Sequence, residues 1–373
     1  MKEILIVTTV LLLLLFAAIA LVSCASMGAS PKKDRTDMYQ ASANYKDETF
    51  RNVIPVNMKM EDGMISMAMK FFLSNGRKPK SPLPTSPLSA NDFSDIPQEL
   101  QVAWLGHSST ILDINGIRLL IDPVFDNASP VPFIVNRFQP SPIKREDLPR
   151  LDAVIISHDH YDHLEMKTIK HLISRVPLFI VPLGVGAHLE KWGCRPEQIV
   201  ELDWWQSYIV NSVEITATPS RHFSGRGFHD RFKTLWASFV FKGPKHNVFY
   251  SGDGGFDDRF KEIGTRFGPF DLTMIEIGAW NTAWPDVHMF PEQSIKAHMQ
   301  LRGKYMLPVH WAAYDLSFHN WDDPILLASK FAEKNNVELL IPKMGEICIP
   351  GKTRHSLWWR TEKTGRNVAK KND

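Results

Sequence analysis

A dense group of side chains that can bind metal lies between residues 157 and 163, in the sequence Ser-His-Asp-His-Tyr-Asp-His. Imidazole nitrogen and carboxylate oxygen are the donors that Zn²⁺ and similar divalent ions prefer. So many polar, titratable groups in one short segment are poorly suited to an apolar core. The segment therefore predicts a metal site with His158, His160, Asp162 and His163 as ligands.

Three further candidate ligands follow other apolar segments of the chain. His222 comes after the strand-like segment 213–218, Asp253 closes the sequence Phe-Tyr-Ser-Gly-Asp, and His310 ends the sequence Met-Leu-Pro-Val-His. Asp122 ends a similar apolar run, and we expect it to orient a ligand histidine through a hydrogen bond. Polar residues at so many predicted strand ends favour a metal site over a cluster of surface histidines.

Short β-rich segments begin at about residue 100 and must position these side chains. Asn115-Gly116 is a strong signal for a hairpin turn. Strands are predicted at 101–106, 109–114, 117–121, 151–157, 177–181, 213–218, 235–241, 247–251, 271–277 and 304–309, and helices at 166–175 and 291–301. Sheets with helices packed outside them indicate an α/β layered sandwich.

The overall composition excludes several classes of protein. The 373 residues include 43 Lys and Arg against 41 Asp and Glu, a formal net charge of +2, which argues against a dedicated nucleic-acid binder. Three cysteines are too few for a disulfide scaffold. We expect Cys194 and Cys348 to be unpaired small core residues, although an oxidising compartment would also allow them to pair.

The amino terminus has the pattern of an export signal. One lysine precedes an apolar run from Ile4 to Val22, and the run ends in Leu-Val-Ser-Cys. This ending resembles a bacterial lipobox, which implies removal of residues 1–23 and lipidation of Cys24. An uncleaved signal anchor is the alternative, since the run is long enough to span a bilayer. Both interpretations place the protein in the bacterial cell envelope, outside the cytoplasm and anchored to a membrane, with the periplasmic face expected.

The order of the metal-binding motif, HxHxDH and then His, Asp and His, resembles the metallo-β-lactamase superfamily. Additional blocks are similar to the N-acyl-phosphatidylethanolamine-hydrolysing phospholipase D family. These blocks lie at residues 104–109, 121–123, 201–205, 262–264, 266–271, 277–280 and 309–311. The resemblance spans about residues 100–325.

This resemblance implies a four-layer αβ/βα sandwich, the metallo-β-lactamase fold, with two zinc ions at one edge; manganese or iron would suit similar donors. The implied ligands are His158, His160 and His222 for one ion, Asp162, His163 and His310 for the other, and Asp253 as a bridge opposite a bridging hydroxide. Asp162 and Asp253 would be the catalytic carboxylates. The implied activity is phospholipase D-type hydrolysis of N-acyl-phosphatidylethanolamine or a related phospholipid, and the family suggests a homodimer.

Several other residues receive expected roles from the same resemblance. His288 is a candidate phosphate or headgroup contact, with a place beside a helix cap as the alternative. His107 is expected to support a ligand or to lie at the pocket rim, and Trp280 and Asn281 to form pocket walls. The sequence departs from the family pattern at two positions. It has Asp159 where the family pattern has Asn, and Gly254 where the family pattern has Thr. The remaining histidines are expected at the surface: His171, His188, His229, His246, His298, His319 and His355.

The domain interpretation divides the chain into four parts. They are a signal peptide (1–23), a tether (24–60), a hydrolase domain (61–350, in which 61–99 form an extension with an amphipathic helix at Asp62–Leu73) and a basic tail (351–373). The helix is expected to pack on the core or to form a pliable wall for an acyl chain. The tail, which carries Trp358 and Trp359, is expected to be solvated or to lie on an anionic membrane.

Two other functions are compatible with parts of this pattern. The same ligands would serve a lactonase or β-lactam-type hydrolase, and a relative without activity would be an envelope lipoprotein with a binding role. We expect a phospholipid substrate, a membrane contact through the lipid anchor, and no nucleic-acid partner.

Overall fold

The computed structural model describes residues 2–31, 33–57, 77–131, 134–227 and 229–360. The predicted amphipathic helix at Asp62–Leu73 and the end of the basic tail lie outside the described residues. The amino-terminal elements are helices α1 (Lys2–Ser26) and α2 (Lys33–Tyr39), followed by a small hairpin of β1 (Tyr45–Lys46) and β2 (Thr49–Phe50).

Two seven-stranded sheets form the body of the protein. The first sheet contains β3 (Gln101–Gly106), β4 (Ser109–Ile114), β5 (Ile117–Ile121), β6 (Ala153–Ile155), β7 (Phe179–Pro182) and β8 (Ile199–Leu202). The second contains β9 (Ser207–Val210), β10 (Val213–Thr218), β11 (Ser238–Lys242), β12 (Asn247–Tyr250), β13 (Phe270–Glu276), β14 (Gly303–Val309) and β15 (Glu338–Leu339). The last strand, β16 (Ile347–Cys348), returns to the first sheet beside β3.

Each sheet changes from antiparallel to parallel pairing. In the first sheet, β16, β3, β4 and β5 are antiparallel neighbours, and β5 to β8 run parallel. In the second, β9 to β12 are antiparallel, and β12 to β15 run parallel. The parallel strands of one sheet end at a common edge, so the residues that follow them are brought together there.

Helices cover the outer faces of the sheets, as the long connections between parallel strands require. They are α3 (Met166–Leu172), α4 (Gly186–Lys191), α5 (Arg259–Phe267), α6 (Pro291–Leu301) and α7 (Asp323–Asn335). Ile169 and Leu189 join outward-facing residues of the first sheet in one apolar cluster, and inward-facing residues of both sheets form the main core. This order of layers confirms the predicted four-layer α/β sandwich.

The predicted tether is wrong over much of its described part, because residues 33–57 dock on the domain. Tyr39 and Phe50 are fully buried, and their ring centroids lie 5.6 Å apart. Arg35 forms ion pairs with Glu190 and, at 2.6 Å, with Glu201. Burial of two aromatic side chains against the domain makes this segment part of the fold.

The interpretation of Trp358 and Trp359 as tail residues is also wrong. Both are buried in the main core, and the Trp358 ring stacks on Trp311 with centroids 5.4 Å apart. Trp311 in turn stacks on Trp104, a residue of β3. The folded domain therefore continues beyond residue 350, through Trp359.

Helix α1 is long and apolar enough to cross a membrane. Its segment Val7–Ser26 has a mean hydropathy of 2.7 and is 6% buried against the rest of the protein. A signal sequence has the same length and composition. The helix is therefore consistent with either a signal or an anchor at the amino terminus.

Candidate metal centre

All seven predicted ligands lie at one edge of the two sheets. The loop 157–163 follows β6, and His310 follows β14 directly. Asp253 comes after β12 and His222 after β10, each on a short loop. The structure thus brings together residues that are up to about 150 positions apart in sequence. Their assignment as metal ligands stays a prediction.

Three ring nitrogens converge in the first half of the site. His158 Nε2 and His160 Nδ1 are 2.8 Å apart, and His222 Nε2 lies 3.2 Å from the same His160 atom. Asp253 Oδ2 lies 3.8 Å from His158 Nε2 and 3.9 Å from His222 Nε2. Together these four side chains form one group that could hold a metal ion.

The second half of the site shares Asp253 with the first. Its Oδ2 atom lies 3.1 Å from His163 Nε2 and 3.0 Å from His310 Nε2. Asp162 Oδ2 lies 3.3 Å from His310 Nε2 and 3.5 Å from His163 Nε2. The Asp253 carboxylate therefore stands between two groups of histidines, as the resemblance implies for a bridging ligand.

These donor atoms fit a divalent ion by spacing and by their lack of other partners. Ligand atoms at about 2.1 Å from a tetrahedral zinc ion would be about 3.4 Å from one another, close to the separations above. Among the described residues, Asp253 Oδ1, His163 Nε2 and His310 Nε2 are buried and have no hydrogen-bond partner. Buried polar atoms without partners are costly, so their convergence favours a bound cation.

The protonation states of the ligands differ between the two halves of the site. Burial lowers the pKa of His158 and of His222 well below the ordinary value, which leaves both rings neutral with a lone pair to offer. Burial alone would raise the pKa of Asp253, but charge on His163 and His310 holds that pKa well below its ordinary value. Neutral imidazoles and an ionised carboxylate are the forms that coordinate a metal. Against the effect of burial, the neighbouring carboxylates raise the pKa of His163 and of His310, so a cation would bind these two rings in exchange for their protons.

The model of the family described as "Beta-lactamase superfamily domain" matches residues 117–311, which include all seven predicted ligands. The chain belongs to the beta-lactamase superfamily. Members of this superfamily that resemble it include metal-dependent hydrolases, and the geometry above supplies the donor groups that such an enzyme needs.

Relatives within the superfamily extend the similarity beyond the matched segment. An uncharacterized protein of Mycobacterium tuberculosis is 42% identical over 347 residues, covering 90% of this chain and 92% of the relative. The N-acyl-phosphatidylethanolamine-hydrolyzing phospholipase D 1 of Caenorhabditis elegans is 34% identical over 250 residues, covering 63% of this chain and 70% of that enzyme.

A solved structure of a metallo hydrolase has a similar fold. Igni18, a metallo hydrolase from the archaeon Ignicoccus hospitalis, superimposes with a TM-score of 0.53 at 19% sequence identity. The match covers 67% of this chain and 97% of Igni18. At this identity the likeness supports the metallo-β-lactamase fold, which the sequence also predicts.

Asp122 lies directly behind the loop 157–163 and forms hydrogen bonds with it. Its Oδ2 atom accepts hydrogen bonds from His163 Nδ1 at 2.7 Å, from the Ser157 hydroxyl and from the Tyr250 hydroxyl. Its Oδ1 atom accepts from the Ser157 backbone N–H at 2.7 Å. Because Nδ1 of His163 donates to this carboxylate, its Nε2 atom is free to face the site.

His107 supports the second half of the site from the tight turn between β3 and β4. Its Nε2 atom lies 2.9 Å from Asp162 Oδ2, within hydrogen-bond distance. Burial and the neighbouring His310 lower the pKa of His107 to about 3. A neutral ring that donates to Asp162 fixes the direction in which that carboxylate points.

Glu276 is a site residue that the sequence analysis missed. It is fully buried at the end of β13, and His288 Nδ1 donates to its Oε2 atom at 2.8 Å. Its Oε1 atom accepts from the Gly254 backbone N–H at 2.9 Å. A Cβ atom at Gly254 would come within 2.2 Å of Ser220 Oγ, so the threonine expected from the family would require that side chain to move.

His288, the candidate phosphate or headgroup contact, lies at the rim of the site. Its ring centroid is 5.1 Å from those of His222 and of His310, and its side chain is partly exposed. Glu276, His288, His310 and Asp253 form a further group of converging donors. The role of His288 as a substrate contact stays a prediction.

The predicted pocket walls lie somewhat farther out. Trp280 stacks on His319 with ring centroids 4.9 Å apart, and His319 lines a small depression beside His310. Asn281 Oδ1 accepts a hydrogen bond from Ala283 N at 2.9 Å, so this side chain stabilises a local turn. Their contact with a substrate stays a prediction.

Two histidines that were expected at the surface are buried. His298 contacts the Thr273 hydroxyl through Nδ1 at 2.8 Å. His188 lies 3.2 Å from Asp159 Oδ2 through Nε2. Asp159 also accepts from Gly225 N, and these contacts explain why a carboxylate is accommodated inside the motif without being a predicted ligand.

Proposed function

We propose that this protein is a metal-dependent phosphodiesterase of phospholipase D type, which hydrolyses N-acyl-phosphatidylethanolamine or a related phospholipid in the bacterial cell envelope. The observation that carries the proposal is the position of Asp253, whose Oδ2 atom lies within 3.9 Å of ring nitrogens from both groups of histidines. One carboxylate shared by two such groups suits a two-ion site, and zinc is the ion that we expect.

The substrate class in this proposal rests on similarity. The Caenorhabditis elegans relative carries phospholipase D in its name, and the blocks that resemble this family surround the site in the sequence. His288, which the resemblance connects with the substrate, lies beside the predicted ligand His222 in the structure. A lactone or β-lactam substrate would use the same ligands and is the alternative outcome of the experiment below.

A pair of divalent ions bound here would supply hydroxide near neutral pH and offset negative charge on the phosphoryl group. The side chains of the chain would hold and align the reacting groups. His107 fixes the Asp162 carboxylate, and Asp122 fixes the His163 ring. With these side chains held in place, the hydrolysis would need no serine or cysteine nucleophile.

His288 is the side chain that we propose to contact the phosphodiester. Its Nδ1 atom is held by the buried Glu276 carboxylate, so the ring has a fixed orientation. The remaining nitrogen, Nε2, can hold a proton beside an oxygen of the phosphate or of the leaving group.

The envelope location follows from the amino terminus in this proposal. Helix α1 supplies a signal or anchor, and Cys24 is exposed near its end, as lipidation requires. An enzyme anchored to a membrane meets its phospholipid substrate at a high effective concentration without any new contact.

The test uses the full chain in detergent–phospholipid mixed micelles, loaded with zinc and incubated with N-acyl-phosphatidylethanolamine. Mass spectrometry of the products identifies the bond that is cleaved. Phosphatidic acid and N-acylethanolamine are expected, and Asp253→Asn should form neither. A metal-loaded protein that leaves this lipid intact but hydrolyses members of a lactone panel would overturn the phospholipase assignment.

A further inference from the structure

The residues that follow Cys24 are bound to the domain rather than extended away from it. Trp192 Nε1 donates to the carbonyl oxygen of Ala25 at 2.9 Å. Arg226 donates to the carbonyl oxygen of Ser26 through Nε at 3.1 Å and Nη2 at 2.8 Å. The Ala29 N–H donates to His188 Nδ1 at 3.1 Å. We call residues 25–29 the docking segment.

The side chains that bind the docking segment also bind the loop that carries four of the predicted metal ligands. Arg226 Nη1 donates to the carbonyl oxygens of Asp159 and of Leu164, the latter at 2.9 Å. Its guanidinium group lies 3.9 Å from the ring centroid of Tyr161, a contact of cation–π type. Arg226 is buried, so these hydrogen bonds satisfy a charge that water does not reach.

His188 makes a second connection between the same two segments. Because the Ala29 N–H donates to Nδ1, that nitrogen carries the lone pair, and Nε2 carries the proton that faces Asp159 Oδ2 at 3.2 Å. One neutral tautomer therefore satisfies both contacts at once. His188 is buried and stacks on Trp192, so its ring has little freedom to turn.

Gly28 allows the docking segment to approach this closely. Its φ is +77°, a conformation that favours glycine, and a Cβ atom there would lie 2.1 Å from His188 Nδ1. A larger residue at position 28 would have to displace either the docking segment or the His188 ring. The close approach of the docking segment to His188 thus depends on one residue, Gly28, which is not a predicted ligand.

We propose that the docking segment couples the membrane anchor to the metal-binding loop. Arg226 and His188 are the shared contacts, and they orient the loop 157–163 relative to the point where the chain enters the lipid. The segment begins one residue after Cys24, and the inference rests on the envelope anchor proposed above, which would place the bilayer surface at its other side. Attachment to the membrane and order in the metal-binding loop are therefore linked properties of the same contacts.

The experiment uses the full chain, loaded with zinc, in lipid nanodiscs. Gly28→Val blocks the approach to His188, and Trp192→Phe removes the donor to Ala25 while keeping an aromatic ring. Ser30→Ala is the matched control, because Ser30 is exposed at the end of the segment. Hydrogen–deuterium exchange of residues 157–164 and the rate of zinc release to a chelator are measured for all four proteins.

Gly28→Val is expected to speed both exchange in the loop and zinc release about tenfold, and Trp192→Phe about threefold, with Ser30→Ala like the parent protein. The proposal is overturned if the docking segment itself exchanges faster in the two variants while the loop and the release rate stay unchanged. It is also overturned if the segment is unprotected in the parent protein. Neither measurement uses a substrate, so failure of phospholipid hydrolysis would not affect this result.

Discussion

The two sheets contribute to the candidate metal centre in different ways. The first sheet supplies one short loop after β6, in which His158, His160, Asp162 and His163 lie together in sequence. The second sheet supplies single side chains from separate connections, among them His222 and others after β12 and β14. The first sheet thus contributes a contiguous sequence motif to the centre, whereas the residues from the second sheet come together only when the chain folds.

This difference determines what holds each half in place. The loop is positioned by hydrogen bonds from behind, above all those that Asp122 accepts. The residues of the second sheet depend on strand register instead. Glu276 pairs with Val309 across β13 and β14, which places Glu276 next to His310 at the same edge. A local change should therefore disturb the loop as a unit, and the second half residue by residue.

The largest effect is expected at Asp253, where the two halves meet. Asp253→Asn removes the shared negative charge, and we expect hydrolysis to fall about a thousandfold, since several kcal/mol of charge stabilisation are lost at 1.36 kcal/mol per tenfold. Metal content measured by mass spectrometry should fall in parallel. The control is Asp258→Asn, an exposed carboxylate on the same connection; equal losses in both variants would contradict the assignment.

The next effect tests whether the loop behaves as a unit. Asp122→Asn should weaken metal binding between 10-fold and 100-fold, roughly the range for partners that orient a ligand. Competition with a chelator measures the affinity. Asp152→Asn is the control. Asp152 directly precedes the first residue of β6, away from the site, and accepts a hydrogen bond from the Arg118 backbone N–H. An affinity unchanged in Asp122→Asn would show that the loop is held by other contacts.

A smaller effect is expected at the rim, on the second-sheet side. His288→Ala should lower kcat/KM for the proposed phospholipid substrate about tenfold, as roughly expected for loss of one hydrogen bond to a charged group. Metal content should remain that of the parent protein, since His288 is not a predicted ligand. His246→Ala, outside the site, is the control. Loss of metal together with activity would instead make His288 a part of the metal-binding group.

The smallest effect is expected for Asp159, inside the loop. Asp159→Asn keeps an acceptor but loses one of the hydrogen bonds from Thr234, His188 and Gly225. If the lost hydrogen bond contributes about 1 kcal/mol to metal binding, the affinity for metal should fall about fivefold. The same chelator competition applies. An effect as large as that of Asp122→Asn would remove the distinction between a carboxylate that contacts a predicted ligand and one that contacts only the surrounding residues.

Much of this arrangement could be predicted from the sequence, because its signals are local. The bounds of five elements agree with the prediction to the residue: β3, β4, β5, β10 and α6. The signals that define them are the hydrophobic period, turn residues and a proline at the helix start, and each acts within a few positions of the chain. Other predicted strands are right in place but differ at their ends, as with 151–157 against Ala153–Ile155. The candidate ligands could be proposed because they follow apolar segments, and their assignment stays a prediction.

The parts that were missed depend on contacts between distant segments. Glu276 lies inside a predicted strand, and only its position beside His288 gives it a role. Residues 33–57 are polar enough to look like a tether, yet Tyr39 and Phe50 bury fully against the domain. Strands β15 and β16 have only two residues each, too short for any periodic pattern. These features depend on which distant segments pack against each other, and a single sequence does not reveal that packing.

The burial of two cysteines has a chemical consequence. Burial raises the pKa of the Cys194 thiol to about 11 and that of Cys348 to about 12. Thiol–disulfide exchange requires the thiolate, so at neutral pH both side chains are nearly inert. Of the three cysteines, Cys24 alone is exposed. The folded domain therefore protects both thiols from oxidation, and a maleimide applied to unacylated native protein would mark one position.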